Sequence, residues 1–243
     1  MGTTPSGTAS EQEAAHWVRG MFAAVARRYD LLNHLLSFNA DRYWRARVAA
    51  RLRPILSRPG ARVLDLCCGT GDLALALERA RGAGVLGSDF CHPMLVAAAR
   101  KFARRGSRSL LVEADALALP VASGALDCVT VAFGFRNLVN YRAGLAEMRR
   151  VLKPGGVAAI LEFSTPPNPL LAALYGFYSH RVLPALGGLI SGSRGAYTYL
   201  PESVRKFPSA ERLAGEMRSA GFADVEFERM TFGVVALHRG TAR

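Results

Sequence analysis

Three aspartates in this chain stand where an apolar segment would not ordinarily keep a charge. Asp65 interrupts the run RVLDLCC, Asp89 falls near the end of VLGSDF, and Asp115 closes LLVEAD. A carboxylate taken out of water is costly unless something cationic or hydrogen-bonding meets it. The first aspartate is followed by Gly69, Thr70 and Gly71 in GTGDLA, which reads G-x-G-x-x-A, a turn that lets a nucleotide approach the backbone. Asp89 then lies at about the interval, ~20 residues, at which such turns place a ribose-binding acid. A dinucleotide fits the glycines, but its pyrophosphate would be repelled by Asp65. S-adenosylmethionine instead offers an ammonium group for Asp65, a ribose for Asp89 and an adenine amine for the Asp115–Ala116 strand end. The sulfonium cofactor accounts for more of the residues.

Each acid taken singly has a plainer role. Asp72 would cap a helix, Asp115 a turn and Asp89 a loop. Their joint placement is what independent turns do not explain, and it follows from the elements that must carry them. RVLDLCC, VLGSDF, LLVEAD, LDCVTVAF and VAAILEF read as short apolar strands, with helical patterns in DLALALERA, PMLVAAARKFARR and YRAGLAEMRRVL between them and KPGG as a turn. Alternation of this kind predicts an α/β fold with a doubly wound, mostly parallel sheet covered on both faces. Two further runs, ADVEFERM and GVVALHR, predict an antiparallel hairpin at one edge and bring the sheet to seven strands. Ligands of such sheets bind beyond the carboxyl ends of the strands. Gly69–Gly71, Asp89, Asp115 and the segment Phe133–Asn137 all fall there.

The chain has 243 residues, half of them hydrophobic, and a formal charge of +12. That length predicts one domain, residues 16–243: a helical cap over 16–60, a cofactor-binding core over 61–165 and a substrate-side insertion or lid over 166–207. Residues 1–15 read as a disordered tail, small and polar with neither the basic start nor the apolar centre of a signal peptide. Cys67, Cys68, Cys91 and Cys128 complete no metal-binding spacing and predict reduced thiols in the cytoplasm; no metal is expected. The basic balance points to an anionic partner. No nucleic-acid-binding signature accompanies it, and the run RKFARRGSR reads as a solvated helix end, so the membrane surface ranks ahead of nucleic acid. LLAALYGFYSHRVLPALGGLI carries His180, Arg181, Pro184 and three glycines, which argues for a lid or membrane-facing groove, or an ordinary core helix, over a spanning one. Tyr175, Tyr178 and Arg181 lie there at helical spacing and would mark its interfacial edge. YDLLNHLLSFNADRYWR predicts two short helices meeting at a polar corner able to hold a substrate.

The motifs VLDLCCGTGDLA, GSDFCHPML, FGFRNL, and RVLKPGG followed by LEFSTP resemble the class I methyltransferases, and within them the C-methyltransferases of ubiquinone and menaquinone biosynthesis. YDLLNHLLSFNADRYWR and YTYLPESVRKFPSAERL match as well, so the resemblance runs from about Phe22 to the C terminus. It implies S-adenosylmethionine-dependent methylation of a ring carbon in a prenylated hydroquinone, demethylmenaquinol foremost, with a benzoquinol intermediate as the alternative. It extends the cofactor contacts to Phe90, Met94 and Ala132. Ala132 replaces a serine usual in the family, and Cys91 replaces another. Arg136 is the expected stabiliser of a ring oxygen, with Tyr29, Asp30 and Tyr199 as the groups available for a base or relay. Asn33, Phe133, Asn137, Tyr178 and Tyr199 are expected at the substrate. A soluble enzyme touching an anionic membrane peripherally, at its inner face, fits this reading, and a homodimer or biosynthetic complex is compatible with it. A nucleic-acid methyltransferase and an inactive cofactor-binding scaffold are the rivals from other classes.

Overall fold

The structure, a computed structural model, describes residues 2–182 and 194–243. Four short parallel strands, β1 (Val63–Leu66), β2 (Leu86–Asp89), β3 (Leu110–Glu113) and β4 (Leu126–Ala132), are joined by β5 (Leu152–Phe163) and by the pair β6 (Phe222–Met230) and β7 (Val235–Ala242). They form one seven-stranded sheet in the order β3-β2-β1-β4-β5-β7-β6. The strands β1 to β5 pair in parallel, while β7 runs antiparallel to β5 and β6, the expected edge hairpin. The order reverses between β1 and β4, and the crevice that opens at such a point is where ligands bind. KPGG does not break the strand. It is absorbed in β5, where the register passes from Leu126–Leu152 to Cys128–Val157 and Gly155 takes a φ of +77°.

Successive strand residues face opposite ways, and the two cores follow from that alternation. Leu64, Leu66, Val129, Val131 and Ile160 pack on one face with Leu145 and Met148 of α6 (Tyr141–Val151) and Leu213 and Met217 of α9 (Ala210–Ser219). Val63, Cys128, Leu161 and Leu237 pack on the other with Trp44, Val48 and Leu52 of α3 (Ala40–Leu56) and Leu73 and Leu77 of α4 (Asp72–Arg81). All four cysteines are free thiols.

The cap consists of α1 (Glu11–Val25), α2 (Tyr29–Leu36) and the start of α3. α2 and α3 meet at Ser37–Asn39 as expected, with Phe38 and Asn39 both at positive φ. Val25 and Ala26 of the cap pack on Cys91 and Met94 at the start of α5 (His92–Arg105). The N-terminal segment differs from the expected loose tail. The Ser10 hydroxyl caps α1 by accepting from the Glu13 N–H at 3.1 Å, and the Glu13 carboxylate accepts from the Ala9 N–H at 2.8 Å. This is close to the reciprocal arrangement of a capping box, a signal present in the sequence as S-x-x-E. Ahead of it, Thr3 is buried, donates its N–H to the Leu138 carbonyl at 2.8 Å and bonds the Tyr199 hydroxyl at 2.7 Å. Beyond β5, α7 (Pro169–Phe177) buries none of its residues and runs into a single π turn, Tyr178–Val182. α8 (Arg194–Lys206) follows. Most of the second half of the Leu170–Ile190 stretch lies outside the described residues, and no described helix is long and apolar enough to cross a membrane.

Candidate active site

The first of two adjoining cavities opens over the carboxyl ends of β1 to β4. Its wall includes Gly69, Asp89, Phe90, Met94, Asp115, Ala116 and Ala132, all expected there, together with Phe133 and Asn137. Cys67 and Phe133, just past the ends of β1 and β4, both adopt the left-handed conformation unusual for residues with a Cβ, and such strain is concentrated at binding sites. Asp89 is the organising acid. One of its oxygens accepts from the Gly69 N–H at 2.8 Å and the other from the Cys91 N–H at 2.9 Å. Burial raises its carboxyl above the usual range while these backbone donors pull it down, and the rise prevails. Each oxygen keeps a further lone pair for a ligand hydroxyl. Asp115 accepts from the Leu117 N–H at 2.9 Å, a local turn that leaves its second oxygen without a partner among the described residues. At Cys91 the backbone N–H makes the loop contact, and the thiol faces the Arg19 carbonyl.

Asp65, Thr70 and Gly71 do not reach this wall. Gly71 is a packing glycine: at φ +83° a Cβ would come within 2.4 Å of the Phe102 ring. Asp65 is buried; one oxygen accepts from the Thr130 hydroxyl at 2.9 Å and the other has no hydrogen-bond partner among the described residues. Burial pushes it up to about 7. The direct ammonium contact expected of it is therefore not built into the cavity surface.

Thr70 belongs to a latch. Its hydroxyl bonds Asp30, and Lys101 of α5 reaches Asp30, Asp72 and Thr70 at 2.6, 2.6 and 3.2 Å. Asp30 lines neither cavity. It fastens α2 to α5 and is held away from the ring site in which it was expected to act. His34, Asp41 and Asp72 bring ligand-type atoms within 4.8 Å of one another, but Arg45 and Lys101 already neutralise the two carboxylates.

The second cavity lies between the cap, the ends of β4 and β5, α7 and α8. Tyr29, Phe22 and Phe133 line both cavities and so form the wall between them. Asn33, Arg136, Tyr178 and Tyr199 line the second, as expected for an acceptor site, whereas Asn137 faces the first. Asn137 is committed to Tyr199, whose hydroxyl donates to it at 3.0 Å. Tyr178 donates to the Leu36 carbonyl at 2.6 Å. Tyr175 also lines this chamber, so the two tyrosines expected at an interfacial edge turn inward. Tyr29, Tyr175 and Tyr199 are all raised above the ordinary tyrosine value, in each case chiefly by burial.

Arg136 is buried. It donates to Glu162 at 2.9 Å and to the Phe133 carbonyl, its own N–H reaches Glu162 at 3.1 Å, and its guanidinium lies 5.3 Å from the Phe163 ring centre. Its Nε has no hydrogen-bond partner among the described residues. Sequence reasoning missed Glu162, which sits inside the apolar run of β5, and missed Asp41, Trp44 and Arg45, whose signal was a polar face within α3.

The chain matches the model of the ubiE/COQ5 methyltransferase family over residues 8–242. It is 54% identical to a demethylmenaquinone methyltransferase of Thermus thermophilus, over 90% of this chain and 99% of that one. It is 46% identical to a protein of the same name from Deinococcus radiodurans, over 96% and 95%. A ubiquinone/menaquinone biosynthesis C-methyltransferase of Paracoccus denitrificans is 43% identical over 96% and 93%. Among solved structures, a SAM-dependent methyltransferase of Thermotoga maritima, possibly a histamine N-methyltransferase, superposes with a TM-score of 0.64 over 92% of this chain at 17% identity, a likeness of fold. With strand-end acids, a glycine loop and a second chamber behind a shared aromatic wall, and with a family match spanning nearly its whole length, this chain belongs to the ubiE/COQ5 methyltransferase family.

Proposed function

We propose that this protein methylates a ring carbon of a prenylated hydroquinol, demethylmenaquinol above all, using S-adenosylmethionine. The observation that carries the reading is the pair of cavities separated by Phe22, Tyr29 and Phe133: one bears acids suited to a ribose and an adenine amine, the other is aromatic and bears a buried guanidinium. The names of the relatives from Thermus and Deinococcus favour the naphthoquinol ring over the benzoquinol one. S-adenosylmethionine, when bound, supplies a methyl group already activated by the sulfonium charge. The residues must then align the ring and enrich it in electrons.

Arg136 is fixed by Glu162 and the Phe133 carbonyl and lines the chamber. In a site shielded from water it stabilises charge developing on the ring oxygen beside the accepting carbon. Tyr29, bonded to Asn33 and shared by both chambers, keeps its proton and acts as a donor and relay at the point where the two ligands meet. The base assigned to Asp30 by resemblance has no support in this geometry.

Acceptor delivery is the second part of the proposal. Leu31, Leu35 and Phe38 of the cap and Leu170, Leu174 and Phe177 of α7 are exposed, and Phe38 stands 6.2 Å from Tyr178 at the chamber. With a net charge of +12, this apolar face suits peripheral contact with an anionic membrane that holds the prenyl tail.

The test is transfer of an isotopically labelled methyl group by the purified protein to chemically reduced demethylmenaquinol and to its benzoquinol counterpart, read by mass spectrometry. Label is expected on the naphthalene ring. Transfer to the benzoquinol alone would reassign the ring, and transfer to neither would end the proposal.

A further inference from the structure

A second buried guanidinium faces the ring chamber, and the methylation reading leaves it without a task. Arg45 lines the chamber, is 8% exposed, and pairs through Nη1 with Asp41 one helical turn earlier. Asp41 is itself held by the Ser37 hydroxyl at 2.8 Å and by His34 Nδ1 at 2.8 Å. Burial works against its charge, but Arg45, Ser37 and His34 outweigh it and hold the carboxyl below its ordinary value, so Asp41 is a firm anchor. The anchor engages one terminal nitrogen. Among the described residues the guanidinium makes no other hydrogen bond, which leaves the rest of the planar fork for a ligand.

The two guanidiniums are arranged around one aromatic pair. Arg45 lies 5.7 Å from the Phe133 centre, Arg136 lies 5.3 Å from the Phe163 centre, and the two rings pack at 4.8 Å. A para-dioxygenated ring has two polar ends of unequal chemical use. The oxygen beside the accepting carbon feeds electron density to it, whereas the oxygen across the ring is meta to that carbon and does not. The second oxygen therefore serves as a handle for orientation only.

We propose that Arg45, anchored by Asp41, binds this second oxygen and makes the enzyme selective for para-dioxygenated rings over rings that carry only the oxygen beside the accepting carbon. The inference rests on the hydroquinol reading and divides the two arginines: Arg136 acts on the reacting half of the ring and Arg45 fixes its register. A buried charged donor left without its acceptor penalises the mono-oxygenated analogue, by roughly ten- to a hundredfold in kcat/KM.

The experiment compares two acceptors with the same prenyl chain, the dihydroxynaphthalene and the analogue in which the remote hydroxyl is replaced by hydrogen, in wild type, Arg45→Ala and Arg45→Lys. Wild type should prefer the dihydroxy ring by roughly that factor. In Arg45→Ala the loss should fall on the dihydroxy ring and bring the ratio near one, with cofactor affinity unchanged. Arg45→Lys, which keeps a cation beside Asp41, should lie between and carries the test if the alanine variant does not fold. Equal losses on both acceptors with the preference intact would make the Arg45–Asp41 pair purely structural and overturn the inference, as would a wild type that does not discriminate. A wild type inactive on the dihydroxy ring would overturn the functional reading and this inference with it.

Discussion

Replacing Arg136 with alanine should damage stability and chemistry together, and the two losses can be separated. The Arg136 and Glu162 side chains are 7% and 1% exposed and 2.9 Å apart. Removing the cation leaves Glu162 in the core without its counter-charge, and breaking a buried pair from one side costs about 3–5 kcal/mol. For a chain of this size about 1 kcal/mol corresponds to roughly 2–4 °C, so the melting temperature should fall by roughly 6–20 °C. Turnover should fall by about two to three orders of magnitude, the usual loss for one well-placed stabiliser of developing charge. Neutralising the stranded acid in Arg136→Ala/Glu162→Gln should recover much of the stability and none of the turnover. Thermal melts and urea titrations report the first quantity, and rates of labelled-methyl transfer at saturating cofactor report the second. A single variant as stable as wild type would refute the energetic argument, and a double variant with wild-type turnover would remove Arg136 from the reaction.

Burial raises Asp65 from near 4 to about 7, so the folded protein binds a proton that the unfolded chain releases across that window, and stability falls as pH rises through it. Urea titrations should show Asp65→Asn gaining on wild type by up to about 4 kcal/mol between about pH 4 and 7; parallel profiles would contradict this. Asp89→Ala should weaken cofactor binding strongly, because it removes the ribose acceptors and also frees the Gly69 and Cys91 N–H groups that shape the loop. Wild-type affinity by calorimetry would count against that assignment. Replacing Phe38 and Phe177 with serine should reduce flotation with anionic vesicles while leaving the melting temperature unchanged, since both side chains are exposed; undiminished flotation would place the membrane contact elsewhere.

The strands were legible because β1 to β5 lie in a sheet covered on both faces, which writes them as short apolar runs between helical periods. The strand-end acids were legible for the same reason: a charge stands out against such a run. What could not be read was which loop residues turn toward the crevice. Asp65 and Asp89 look alike in sequence, yet one lies beneath the glycine loop and the other in its wall. Asp30 reads as a free carboxylate beside Tyr29 until Lys101, far along the chain, folds against it. Arg136 was legible as a cation just past the end of β4, but its partner Glu162 belongs to β5, and no local pattern joins them. The N-terminal segment misled because Thr3 finds its partners at Leu138 and Tyr199, while the Ser10–Glu13 cap was readable and outweighed by the polar composition around it.

The partition made by Phe22, Tyr29 and Phe133 bears on how this protein could be inhibited. These three side chains line both chambers, so a single molecule joining an adenosine-like head to an aromatic ring through a short, flexible bridge would meet both at once. Once the head is seated, the ring's local concentration is set by the bridge and not by the bulk, and with a bridge of matching length the gain over either half alone reaches about two to four orders of magnitude. The same compound would read out the wall itself: trimming Tyr29 to alanine should relax the demand on the length and shape of the bridge, because the partition that the bridge must pass is built in part from that ring.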